Sequence, residues 1–108
     1  MNKLTKSEAY NALKNYTGKT CKFYYHINDN RFCAVGILLE ELRKKNPGFT
    51  WADNHLLEGP NTQIVDPRNS DNTAQALGFE NTVKCREFIT KWDALDYSLS
   101  ILAEEYFA

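Results

Sequence analysis

An α+β fold, mostly helical and closed by a short antiparallel sheet or hairpin, is what the sequence predicts, on three observations. Apolar residues recur three and four positions apart in several segments, the spacing of one helix face. Shorter stretches carry aromatic and β-branched residues beside turn residues, the pattern of strands. Hydrophobic residues make up 43 % of the chain, charged residues 25 % and aromatics 13 %, a folded rather than a disordered composition. With 108 residues and no long linker, 1–108 reads as a single compact domain. A chain of that length buries about two-thirds of its unfolded surface, enough for a core without metal or disulfides.

The elements follow in order. Thr5-Lys6-Ser7-Glu8 fits a capping box, so a first helix starts there. Ala9, Leu13 and Tyr16 share its apolar face, and Thr17-Gly18 stops it. Lys19 to Ile27 alternates Cys21, Phe23, Tyr25 and Ile27 with Lys22, Tyr24 and His26, which predicts a strand ending in the turn Asn28-Asp29-Asn30. Phe32, Val35, Leu39 and Leu42 mark one face of a second helix that ends at Lys45, before Asn46-Pro47-Gly48. This helix is the expected centre of the core.

Further on, His55 to Glu58 and Thr62 to Val65 flank Gly59-Pro60-Asn61 and predict a hairpin, followed by an exposed loop over 66–72. Thr73 to Leu77 makes a helical turn stopped by Gly78. Asn81 or Thr82 can cap a segment running to Trp92, and Asp93 or Asp96 can cap a last helix that buries Leu99, Leu102, Ala103 and Tyr106.

Charge and hydropathy narrow the partners. Thirteen basic and 14 acidic side chains leave a net charge of −1, which argues against a polybasic nucleic-acid binder and against an acidic DNA mimic. The charges are unevenly placed: residues 1–47 hold nine basic and four acidic side chains, net +5, and the remainder four basic and ten acidic, net −6. Such a two-signed chain either interleaves its halves or presents a surface that steers a charged partner or a second copy. The longest apolar run, Phe32 to Leu39, is far short of the ~20 residues that span a bilayer, and the N-terminus lacks the apolar stretch of a secretory signal. A cytoplasmic protein is expected, with Cys21, Cys33 and Cys85 as free thiols and no membrane partner.

Arg31-Phe32-Cys33-Ala34-Val35-Gly36-Ile37-Leu38, then Ala76-Leu77-Gly78-Phe79, then Ile89-Thr90-Lys91-Trp92-Asp93 before a closing helix, resembles a group of small bacterial and phage proteins. That group shares an aromatic-Cys-Ala/Leu-x-Gly-x-Leu helix and a later Trp-Asn-Asp turn. The resemblance covers about three-quarters of the chain and implies a compact, mostly helical domain, with no activity attached. Trp92-Asp93-Ala94 and the stretch around the hairpin depart from the pattern. Phage genomes are rich in chains of this size that bind and inhibit host proteins, so a phage or mobile-element accessory protein acting on a host protein, such as a defence component, is the expected source.

Several residues carry candidate chemistry. Cys33 stands near the start of the second helix, where the dipole can lower a thiol pKa, and His26 could be its base; the bland alternative is a buried structural thiol. Cys21, His26, Cys33, His55 and Cys85 are zinc-type donors, but their spacing lacks the paired short knuckles of structural zinc modules. No metal and no cofactor is expected. Trp51, Asp53, Asn54 and His55 form a polar cluster in a loop, able to bind a ligand or partner or simply to shape a turn. Lys19, Lys22 and Arg31 with Phe23, Tyr24 and Tyr25 combine cations and stacking platforms as single-strand binders do, against which the near-zero net charge counts. The five glycines stand at least 11 residues apart and form no phosphate loop. Gly36 inside a helix signals close approach of a neighbour, the terminal helix or a second subunit. Tyr106 and Phe107 either dock on the core or belong to an interface.

The function these residues predict is a non-enzymatic binding protein that occupies the surface of another protein. Trp51, Asp53, Asn54, His55, Tyr24, Arg31, Tyr106 and Phe107 are its candidate contacts. A small-molecule protein that sequesters a nucleotide between subunits of a homo-oligomer, and a Cys33/His26 thiol enzyme, are the alternatives.

Overall fold

The computed structural model describes residues 1–28 and 30–108. Its order is α1 (Lys6–Lys14), β1 (His26–Ile27), β2 (Arg31–Phe32), α2 (Ala34–Lys45), β3 (Thr50–Ala52), β4 (His55–Leu57), α3 (Asp71–Ala76), α4 (Thr82–Asp93) and α5 (Leu99–Phe107). Among the described residues this is a small α+β domain of five helices and two antiparallel hairpins, with a radius of gyration of 12.5 Å.

The helices start where the sequence supplies caps. Thr5 Oγ1 accepts from the Glu8 N–H (3.1 Å) while Glu8 Oε1 accepts from the Thr5 N–H (2.9 Å), which completes the expected box. Asn81 caps α4 through the Lys84 N–H. The last helix differs from expectation: Ser98, not Asp93 or Asp96, caps α5, because Asp93 still lies inside α4 and Asp96 turns the chain with φ +61°. Likewise α3 begins at Asp71 under a Ser70 cap, inside what reads as loop.

α2 is the centre, buried from Ala34 to Leu39 and at Leu42. It packs on α1 and α4, while α5 lies across α1 and α4. Burying each of Leu38, Leu39 and Leu42 stabilises the fold by roughly 1.5–3 kcal/mol, which is why a helix with an interior glycine still forms. Under α5, Phe79, Phe88, Tyr106 and Phe107 make an aromatic cluster with ring centroids 5.0 to 6.3 Å apart. Of the two alternatives for the C-terminus, Phe107 therefore docks on the core (3 % exposed), with Tyr106 half-buried beside it.

The strand expected over 19–27 shrinks to His26–Ile27, paired with β2; Asp29, in the turn between them, lies outside the described residues. Residues 19–21 keep one parallel bridge, Thr20 to Phe32, and beyond it side chains from distant elements take the backbone groups of Cys21, Phe23 and Tyr25. The expected hairpin is displaced as well. β4 pairs with β3, whose partners are Thr50–Leu57, Trp51–Leu56 and Ala52–His55. The second expected arm is reduced to a bridge between Leu57 and Gln63, held by the Glu58 N–H to Thr62 carbonyl and Ile64 N–H to Leu56 carbonyl bonds.

Candidate functional site

Residues 19–25 leave α1 and cross the N-terminus of α2. Their backbone is held at one end by Phe32, through the Cys21 N–H to Phe32 carbonyl and Phe32 N–H to Lys19 carbonyl bonds, and elsewhere by groups far away in sequence. Trp92 Nε1–H donates to the Cys21 carbonyl (2.9 Å), the Lys22 ammonium donates to the Trp92 carbonyl (2.5 Å), and the Phe23 N–H donates to Asp93 Oδ1 (2.9 Å). Asn54 Oδ1 accepts from the Tyr25 N–H (2.6 Å) and the His26 N–H (3.2 Å). The Tyr25 carbonyl accepts from the Cys33 N–H (3.3 Å), which seats the loop on the helix start.

Side chains add further ties. The Tyr25 hydroxyl donates to Asp66 Oδ1 (2.7 Å), and Arg68 grips the same carboxylate with two bonds of 3.1 and 2.8 Å. Burial opposes ionisation of Asp66, but these bonds outweigh it and hold its carboxyl below the usual range. Burial and the Asp66 carboxylate both push the Tyr25 phenol upward, so it stays a neutral donor. The Lys22 ammonium sits 3.7 Å from the centre of the Trp92 ring and 3.1 Å from Asp96.

The tip of this anchored loop is apolar and outside. Phe23 is 74 % exposed and Tyr24 55 %. Phe23 also has φ +71°, a left-handed conformation that costs a bulky L-residue roughly 1–2 kcal/mol. The Asp93 carboxylate holds the Phe23 N–H itself, while Trp92 and Asn54 hold Cys21 and Tyr25 on either side. Beneath the tip is a cavity of 40 Å³ lined in part by Tyr25, Cys33, Val35, Ile89 and Trp92, room for about one water and not for a nucleotide.

The other expected site residues lie elsewhere. Asn54 is the clamp just described. The neighbouring Asp53 (φ +52°) accepts the His26 Nδ1–H at its carbonyl (2.6 Å). Trp51 stacks on the His26 ring at 4.7 Å and donates from Nε1 to Glu40 (3.0 Å). His55 is exposed and accepts from the Gln63 amide at Nδ1 (2.8 Å). Arg31 is exposed on β2. Of the stacking platforms Phe23, Tyr24 and Tyr25, the first two face water and Tyr25 is turned inward.

Cys33 does not gain the lowered pKa expected of a helix start. It caps α2 by accepting the Gly36 N–H at Sγ (3.3 Å), but burial pushes its thiol up to about 12. Burial therefore disfavours a Cys33 thiolate, and the His26 ring is stacked against Trp51 with its Nδ1–H held by the Asp53 carbonyl. The thiols Cys21, Cys33 and Cys85 are free, and among the described residues no three His, Cys, Asp or Glu side chains gather as metal ligands.

The neighbour announced by Gly36 is neither the terminal helix nor a second subunit. It is the carbonyl of Tyr25.

Compared with known proteins, the chain matches no family model, no curated protein and no solved structure. Among the described residues no helix is long and apolar enough to cross a membrane.

Sequence reasoning named Phe23 only as a stacking platform and did not see that it projects. Its exposure depends on Asp93, 70 positions away, and no local pattern carries that information.

Proposed function

We propose that this chain is a non-catalytic protein-binding domain that engages its partner through the Phe23-Tyr24 tip. The observation that carries the reading is Phe23: a large aromatic side chain, 74 % exposed, held in a left-handed backbone by Asp93 and its neighbours. Neither feature is one that folding alone favours. Exposing a phenylalanine forfeits its burial energy, and the φ value would suit glycine or asparagine better. Strain retained at an exposed residue points to use of that residue. Aromatics with little conformational freedom to lose are also what protein interfaces select as anchors. The rigid setting supports the same reading, since a loop tied by Trp92, Asn54 and the Tyr25–Asp66–Arg68 network loses little entropy on binding.

A host protein met by a phage or mobile-element product is the partner class of this proposal. The test is comparative capture from a bacterial lysate, with the full chain and its Phe23→Asn and Tyr24→Ala variants as baits. A protein held by the natural chain and lost with both variants, crosslinking through a photoreactive residue at position 24, is the expected result. Equal retention by all three baits overturns the reading. A surface used for nucleic acid would instead show as salt-sensitive retention of single-stranded oligonucleotides.

A further inference from the structure

The outer face of α4 is unusual for a solvent-facing helix. Val83 at its start is 59 % exposed and Leu95 just past its end 57 %, and between them Arg86, Glu87 and Thr90 are exposed. These residues line an open depression of 470 Å³ on the surface. Its apolar lining belongs to neither the core nor the Phe23 loop.

The pattern along this face is nearly its own mirror. Counted from residue 89, Val83 stands six positions before and Leu95 six after, and Glu87 two before and Lys91 two after. A two-fold axis crossing the helix at residue 89 brings a second copy of α4 alongside in the opposite direction. Val83 of each copy then meets Leu95 of the other. At 100° per residue Glu87 and Lys91 fall on one flank of the stripe. A perpendicular two-fold keeps like flanks together, so Glu87 of each copy meets Lys91 of the other. Thr90, beside the axis, is small enough for the helices to approach closely.

The geometry points to α4 as the interface of a symmetric antiparallel homodimer, the occupant of this face being a second copy of the chain. Self-complementarity of both apolar and charged positions is what an isologous interface requires. The groups are available for it. The Arg86 guanidinium donates to the Arg68 carbonyl (2.8 Å) and to Asn69 Oδ1 (3.4 Å), both uncharged. Glu87 has a loose contact with Lys84 at 3.6 Å, and Lys91, held by Glu105 and the Tyr106 hydroxyl, keeps a third donor for a second carboxylate. The 12 residues of α4 make a seam of about 18 Å, short for an interface, so the dimer is expected to dissociate on dilution.

Sedimentation velocity on the full chain, over roughly a hundred-fold range of concentration, tests this. The natural chain is expected to pass from monomer to dimer. Val83→Asp should abolish the dimer without harming the fold, since an acid in the first turn of a helix suits its dipole. Glu87→Lys and Lys91→Glu should each weaken self-association about ten-fold by turning two pairs repulsive. An equimolar mixture of these two variants should recover the dimer, because every pair across its axis is again opposite in sign. Circular dichroism checks that each variant is folded. A natural chain that stays monomeric throughout, or a dimer indifferent to all three substitutions, overturns the inference. Phe23→Asn should leave the dimer intact, so the two surfaces stand or fall separately.

Discussion

The carbonyl oxygen of Tyr25 occupies the place of a side chain on Gly36: a Cβ built there would lie 1.7 Å from it. The same carbonyl accepts the Cys33 N–H, so loop and helix start are fastened at one point. Gly36→Ala is therefore expected to destabilise by at least about 3 kcal/mol, because the clash is with backbone and relief requires moving the anchored loop. The urea unfolding midpoint checks it, and an unchanged midpoint would mean that the loop is free to lift.

Phe23→Gly should act in the opposite direction. Glycine adopts φ +71° without a Cβ penalty, and the exposed ring contributes little packing, so stability should rise or hold within about 1 kcal/mol. Thermal denaturation is the measurement. A large loss would show instead that the ring is structural, and would remove the main support for its role in binding.

Asp93→Ala deletes the acceptor of the Phe23 N–H. A loss of about 1–2 kcal/mol is expected, with faster hydrogen exchange at Phe23. Weaker capture of the partner should accompany it even though Phe23 itself is intact.

Thiol titration gives a pH dependence. Burial raises both Cys33 and Cys85 to about 12, whereas the same thiols in the unfolded chain ionise near ~8.5. The folded state thus holds its thiol protons after the unfolded state has lost them. Stability from this source is complete below pH ~8.5 and falls as the pH rises from there to about 12. Urea midpoints across that range should decline less steeply in a Cys33→Ala/Cys85→Ala variant. Under native conditions near neutrality, alkylation should reach the half-buried Cys21 before Cys33 or Cys85.

Phe107→Ala is expected to cost about 3–5 kcal/mol, since its ring fills the cluster with Phe79 and Phe88. Calorimetry will show this as a fall in melting temperature.

The mostly helical α+β class, the Thr5–Glu8 box, the start of α4 at Asn81 or Thr82 and the apolar faces of α1 and α2 could all be read from the sequence. Each depends on residues within a turn or two of one another, where propensity, capping and the helical period act. The extent of the strand, the partner of β4 and the cap of α5 could not, for their hydrogen bonds were open to several competitors. The candidate site was the least legible part. Asn54, Asp66, Trp92 and Asp93 reach residues 21–26 across 28 to 71 positions of sequence, and together they decide that Tyr25 turns inward while Phe23 faces water. Val83 left a weaker trace, since it stands off the Cys85-Phe88-Trp92 stripe that α4 buries. What the sequence by itself determined, then, is where helices begin and which faces they bury, because those forces are local. Which thiol is hidden, what presses on Gly36 and which aromatic is left outside were decided by the tertiary structure, because each depends on what distant segments bring against it.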